Sequence, residues 1–266
     1  MMKKFYYPGK KFPSISITGE TCALSCPHCE GRFLEGMTQI SGPKELYDFA
    51  LELEKSGGTG FLLSGGCTDK GKVPIERYSK TLSRIDENTQ LTTTVHTGLP
   101  TEDMVKSLVD AEVNAVSYDM IGSNRTIEKV YGLDATPEDY KDGYKMLKNA
   151  GLKVIPHITV GLNEGELDGE FKAIDLLNDP PKIVLNSLIP YDFGKRVSKK
   201  DFFTVMDHVD ESVDITLGCM RERGRYKMEI QALKRGAEGI VLPSKKTESW
   251  ARKNFEIEKI EKCCVV

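Results

Sequence analysis

The chain has 266 residues, of which 39% are hydrophobic and 29% charged, with a formal net charge of −3. This length suits one large domain and is ordinary for an α/β barrel. The charge balance argues against a general nucleic-acid or membrane-surface binder. No run of eighteen apolar residues occurs, so no membrane span is expected. The opening Met1-Met2-Lys3-Lys4-Phe5-Tyr6-Tyr7-Pro8 lacks the apolar centre of a signal peptide. The expected location is therefore cytoplasmic. There, seven cysteines read as metal ligands or catalytic groups rather than disulfides.

Short β-branched runs predict strands at 15–18, 61–64, 91–96, 113–119, 154–160, 183–188, 213–217 and 239–242. Helical patterns lie between them. Thr101 opens one helix, with Met104, Val105 and Leu108 inward. Thr136-Pro137-Glu138-Asp139 opens another, with a capping hydroxyl, a first-turn proline and acid at the positive end. Tyr140, Tyr144 and Leu147 give it one apolar face, and Gly151 closes it. Ser198 opens a third, carrying Phe202, Met206 and Val209. Such alternation implies parallel strands with right-handed crossovers. The expected fold is α/β: a (β/α) barrel of six to eight repeats, a complete or partial TIM-like barrel. A doubly wound open sheet is the alternative. Residues 1–250 are read as the barrel and 251–266 as a charged, less ordered tail whose cysteine pair folds toward the barrel mouth.

Thr21-Cys22-Ala23-Leu24-Ser25-Cys26-Pro27-His28-Cys29 places three cysteines at the spacing C-x3-C-x2-C, just after the first predicted strand. Three thiolates on one loop can hold a corner of a cubane and leave one iron open. A barrel would put them at the C-terminal strand ends, where active sites collect. A zinc site normally takes a fourth protein ligand at similar spacing, and none lies nearby. The triad resembles that of radical S-adenosylmethionine enzymes, with His28 in the place of the usual aromatic. That resemblance implies a 4Fe–4S cluster on Cys22, Cys26 and Cys29 whose open iron chelates S-adenosylmethionine.

The same resemblance assigns cofactor contacts to later strand ends. Ser64-Gly65-Gly66-Cys67 is similar to a Gly-Gly-Glu turn that holds the methionine amino group, with Cys67 in place of the acid. Asp119 is placed on the ribose hydroxyls. Pro156-His157-Ile158-Thr159-Val160-Gly161 resembles the segment along the adenine, with His157 replacing a glycine. Asn186 is read as an amide pointing into the mouth. The bland reading of Asp119 and Asn186 is loop capping, and His96 reads as a satisfied core histidine.

Cys67, Cys219, Cys263 and Cys264 remain. Cys67 and Cys219 follow predicted strands, so a barrel turns both to one mouth, and a folded-back tail would add Cys263 or Cys264. Together they are candidate ligands of a second iron–sulfur cluster. The ending Cys263-Cys264-Val265-Val266 also fits a loose prenylation box.

The layout resembles the biotin synthase-like branch over nearly its whole length, including Gly218-Cys219-Met220-Arg221 and Gln231-Ala232-Leu233. That branch's fifth-strand cysteine and seventh-strand arginine fall near Ile155 and Thr216 here. The cysteine set is more similar to a subunit of the archaeal two-component lipoyl synthase. This implies sulfur insertion into an octanoyl-type chain, with a second radical subunit, an octanoylated carrier protein or peptide, and a reductase or ferredoxin as partners. A radical mutase of the methylornithine synthase type and a non-catalytic cluster-carrying subunit are the alternatives.

Overall fold

The computed structural model describes residues 2–266. Among these, eleven strands form one sheet: β1 (Met2–Tyr6), β2 (Ser14–Ser16), β3 (Thr38–Gln39), β4 (Gly60–Ser64), β5 (Thr92–His96), β6 (Ala115–Asp119), β7 (Val154–Val160), β8 (Lys182–Ser187), β9 (Asp214–Leu217), β10 (Gly239–Val241) and β11 (Glu256–Ile260). Their order is β11-β1-β10-β9-β8-β7-β6-β5-β4-β2-β3, and every pairing is parallel. From β4 to β10 the order never reverses. A doubly wound sheet would contain a reversal, so the alternative fold is set aside in favour of a partial (β/α) barrel.

The curl follows from one connection. β1 and β2 lie near opposite ends of the pairing order, yet only residues 7–13 join them. Seven residues span at most about 25 Å, so the sheet must bend until its ends nearly meet. Lys11 Nζ to Glu261 (2.6 Å) and Thr59 Oγ1 to the Glu261 carbonyl (2.8 Å) bridge that gap.

Strand alternation separates two surfaces. Phe5, Ile15, Phe61, Val95, Val116, Ile158, Leu185, Leu217 and Ile240 face the helices and share one apolar core. Their neighbours line the barrel lumen, where Tyr6, Ala115, Ile155, Val184 and Val241 form a separate apolar cluster. The helices obey their sequence signals. Thr136 and Asp139 form a reciprocal capping box on the helix Pro137–Asn149, and its Tyr140, Tyr144 and Leu147 are buried. Thr101 and Ser198 cap Glu102–Asp110 and Lys199–Met206.

All eight expected strands are present, with shifted ends. Three strands are additional: β1, the two-residue β3 and β11. The tail, expected to be less ordered, instead supplies β11, paired along its length with β1. Nor does it fold over the mouth. Lys262 Nζ donates to Thr92 Oγ1 at the start of β5 (2.9 Å), and Lys182 Nζ, at the start of β8, donates to the Cys264 carbonyl (3.0 Å). Residues 261–266 thus close the strand-start end of the lumen. Cys264 and Val265 are buried there against Tyr6, Ile155 and Val184, so the carboxyl-terminal four residues are not presented as a prenylation box. No helix among the described residues is long and apolar enough to cross a membrane.

Candidate active site

β2 ends at Ser16, and the chain turns at once into the cysteine loop. The Thr18 hydroxyl donates to the Thr21 carbonyl (2.9 Å) and the Thr21 hydroxyl to the Thr18 carbonyl (2.6 Å). The Cys29 and Glu30 amides both donate to the Cys26 carbonyl, closing a turn that brings Cys26 and Cys29 together. The loop is tied to the turn after β4. Gly66 N–H donates to Thr18 Oγ1 (2.7 Å), Ala23 N–H to the Cys67 carbonyl (2.8 Å), and Cys67 N–H to Cys22 Sγ (3.2 Å). A Cβ on Gly66 would stand 2.0 Å from the Thr21 carbonyl oxygen. The close approach that needs glycine here is made by the cysteine loop itself.

Cys22 is exposed, Cys29 half-buried and Cys26 buried. Burial, reinforced by Cys22 and Cys29, pushes the Cys26 thiol up to about 12. Cys67 is also raised to about 12, by burial and then by Cys22, Cys26, Asp119 and Cys29. Cys67 therefore stands with the triad. The hydrogen bonds between the Gly66-Cys67 turn and the loop hold its backbone against Cys22. Cys22 and Cys67 line one cavity of about 360 Å³ with Thr18, Thr21 and Pro74.

Three of the four histidines gather around Asp119 at the end of β6. His96 Nε2 lies 3.0 Å from Asp119 Oδ2. Burial draws the His96 pKa down, but the charge and hydrogen bond of Asp119 outweigh it and the net shift is upward. Burial raises Asp119, yet His96, His157 and His28 together bring it below its ordinary value. Asp119 is thus an ionised acceptor, and His96 is its partner rather than a core residue. His157, beside Asp119 in register, is held down to about 4 by burial and by His96. His28 is lowered to about 4 by burial and packs edge-on against Tyr131 at 5.7 Å.

Asn186 on β8 is buried, with no partner for Oδ1, and Thr216 on β9 has none for Oγ1. Asn186 Oδ1 occupies the space over Gly218, where a Cβ would approach it to 2.0 Å. Next along the chain, Cys219 opens into a cavity of about 390 Å³ lined by Phe33, Ile189, Tyr191, Met220 and Arg223. Its turn is fixed by a buried pair that the sequence reading missed. Arg221 donates to the Gly218 carbonyl, to Glu229 Oε1 (2.9 Å) and to the Leu242 carbonyl (3.2 Å). Glu229 also accepts from Thr247 Oγ1 (2.6 Å) and Ser244 N–H (3.0 Å). Glu170 was missed as well: its carboxylate accepts from the Gly161 and Asp168 amides, both at 2.7 Å, and braces the turn after β7.

Burial and then Cys263 raise the Cys219 thiol. The adjacent thiols of Cys263 and Cys264 act on each other, lowering Cys263 and raising Cys264 well above its ordinary value. Five cysteines, the triad with Cys67 and the exposed Cys219, stand at strand ends, and Cys263 and Cys264 lie at the opposite end of the lumen.

The donor sets suit iron–sulfur chemistry. One loop offers three thiols beside polar strand ends, and soft thiolates are the usual cubane ligands. Among the described residues no three His, Cys, Asp or Glu side chains close on one point as the ligands of a single ion do. The thiolates of a cubane stand further apart, each on its own iron.

The Radical SAM superfamily matches residues 16–175, more than half of the chain, including the triad and the β4 turn. No curated protein matches. Among solved structures, HydG, a maturase of the FeFe-hydrogenase, is 18% identical with a TM-score of 0.64, covering 90% of this chain and 57% of its own. Methylornithine synthase PylB is 13% identical with a TM-score of 0.61, covering 90% and 72%. SuiB of Streptococcus suis, bound to S-adenosylmethionine, is 12% identical with a TM-score of 0.55, covering 94% and 58%. At these identities the likeness is one of fold, and the chain spans little more than half the length of HydG.

Proposed function

The chain belongs to the radical SAM superfamily, and from that membership we propose that it cleaves S-adenosylmethionine at the barrel mouth and inserts sulfur into an unactivated aliphatic chain, as a lipoyl synthase does. The observation that carries the first half is the triad loop leaving β2 and bound to the Gly65-Gly66 turn of β4. When bound there, a 4Fe–4S cluster supplies the electron that splits the cofactor into methionine and a 5′-deoxyadenosyl radical. Cys22, Cys26 and Cys29 hold that cluster. The backbone of Ser64, Gly65 and Gly66 is the proposed acceptor of the methionine amino group. Asp119, kept ionised by His96, is placed to accept from ribose hydroxyls. His28, His157 and Asn186 are the further proposed cofactor contacts.

The second half is supported by the three thiols outside the triad and its neighbouring turn. Cys219, Cys263 and Cys264 are the proposed ligands of a second cluster, and an incomplete thiolate set leaves iron labile and sulfide free to transfer. The cavity at Cys219 joins an apolar wall of Phe33, Ile189, Tyr191 and Met220 to the charged Arg221, Glu222 and Arg223, and the apolar wall is the proposed seat of an octanoyl chain. A ferredoxin or reductase would supply electrons, and a second radical subunit would share the insertion.

A radical mutase is the second reading, favoured by the polar lumen: Asn186 and Thr216 present unpartnered oxygens to a small polar substrate. Metal content separates the two, about eight irons per chain for two cubanes against about four for one. Anaerobically reconstituted protein given dithionite should release 5′-deoxyadenosine, and alanine at Cys22, Cys26 or Cys29 should abolish it. No 5′-deoxyadenosine, with or without a partner subunit, would leave only a cluster-carrying role.

A further inference from the structure

Cys67 is a nucleophilic group that radical generation does not use. It follows β4 directly, and its backbone is fixed on both sides by the cysteine loop: its amide donates to Cys22 Sγ at 3.2 Å and its carbonyl accepts from Ala23 at 2.8 Å. It shares a cavity with Cys22. Cys67 thus brings a further thiol to the cavity that Cys22 lines. A cubane has four irons, and three triad thiolates leave the fourth without a protein ligand.

We propose that Cys67 is an exchangeable fourth ligand, closing the open iron until S-adenosylmethionine displaces it. The inference rests on the cluster assignment made above. Closing forms one iron–sulfur bond and releases the thiol proton. The cofactor's amino and carboxylate groups then replace that bond, and the thiol takes a proton back. No electron moves in either direction. A thiolate over this iron would shield the cluster from oxidative iron loss while no cofactor is present. The residue is anchored for this job: its neighbour Gly66 cannot carry a side chain without striking the Thr21 carbonyl, so Cys67 sits at a fixed distance from the loop.

The test compares reconstituted wild type with Cys67→Ala, whose backbone hydrogen bonds are retained. Mild ferricyanide oxidation without cofactor should leave most wild-type clusters as cubanes. In Cys67→Ala it should convert most of them to the three-iron form, read by electron paramagnetic resonance. A site competent to bind only one-tenth of the time binds about tenfold more weakly, so Cys67→Ala should bind S-adenosylmethionine about tenfold more tightly by equilibrium dialysis. Equal three-iron yields and equal affinities in the two proteins overturn the proposal. So does complete loss of the cluster in Cys67→Ala, which would make Cys67 an obligate ligand. Failure of the underlying assignment is distinguishable, because wild type would then form no four-iron chromophore.

Discussion

A single missing Cβ sets how closely the cysteine loop lies on the sheet. Any side chain at Gly66 meets the Thr21 carbonyl and the Cys22 Cα, both backbone atoms that cannot swing aside. Gly66→Ala should therefore displace Cys22 and lower triad iron to well under half of wild type, read as iron per folded chain; full occupancy would refute the packing argument. The His96–Asp119 pair carries a pH signature. Since the His96 pKa lies above its ordinary 6.5, its contribution to stability is complete below 6.5 and is lost as pH rises through the raised value. Since the Asp119 pKa lies below its ordinary 3.8, its share is present above 3.8 and is lost as pH falls through the lowered value. Urea unfolding should show stability declining on the alkaline side of 6.5, and Asp119→Asn should flatten that decline. An unchanged slope in the variant would assign it to other groups.

Turns and strands show where sequence was a sufficient guide. The triad loop and the Gly-Gly turn were legible because both are local: spacing and glycine content state the geometry outright. The eight central strands were legible because burial on both faces selects β-branched runs. β11 and the two-residue β3 were not, because they are the edges of the sheet, and β1, paired between β11 and β10, was masked by Lys3 and Lys4. β11 is Glu-Ile-Glu-Lys-Ile, and charged residues are common on edge strands, where they discourage pairing with other chains. The destination of the tail was illegible for a different reason: it depends on the lumen of the closed-up sheet, which no local signal describes. The turn bearing Cys219 likewise depends on Glu229, a distant partner. Arg221 and Glu229 are 4% and 3% exposed, so removing one partner leaves a buried, uncompensated charge. Arg221→Ala should cost about 3–5 kcal/mol, measured by urea unfolding. It should also loosen Cys219, so that iron at the proposed second cluster falls further than iron at the triad. A loss below about 1 kcal/mol, the range of surface pairs, would show that the network does not hold the turn.

The whole molecule separates radical generation from the deeper thiols by placing them at different depths of one barrel. The triad, Cys67, Asp119 and Cys219 sit at the C-terminal strand ends, whereas residues 261–266 seal the strand-start end and hold Cys263 and Cys264 there. Val265 is completely buried, so removing it exposes apolar surface worth about 1.5–3 kcal/mol. Truncation after Lys262 should lower the melting temperature, and the double variant Cys263→Ala/Cys264→Ala supplies the same chemical deletion with the floor still in place. Both proteins should lose the deeper irons, falling from about eight to about four per chain on the two-cubane reading. Both should still form 5′-deoxyadenosine, because nothing at the mouth rests on the last four residues. If the double variant keeps all its iron, the deeper thiols hold no cluster and sulfur insertion loses its support. If it loses 5′-deoxyadenosine formation while remaining folded, the two ends of the barrel are coupled through the lumen.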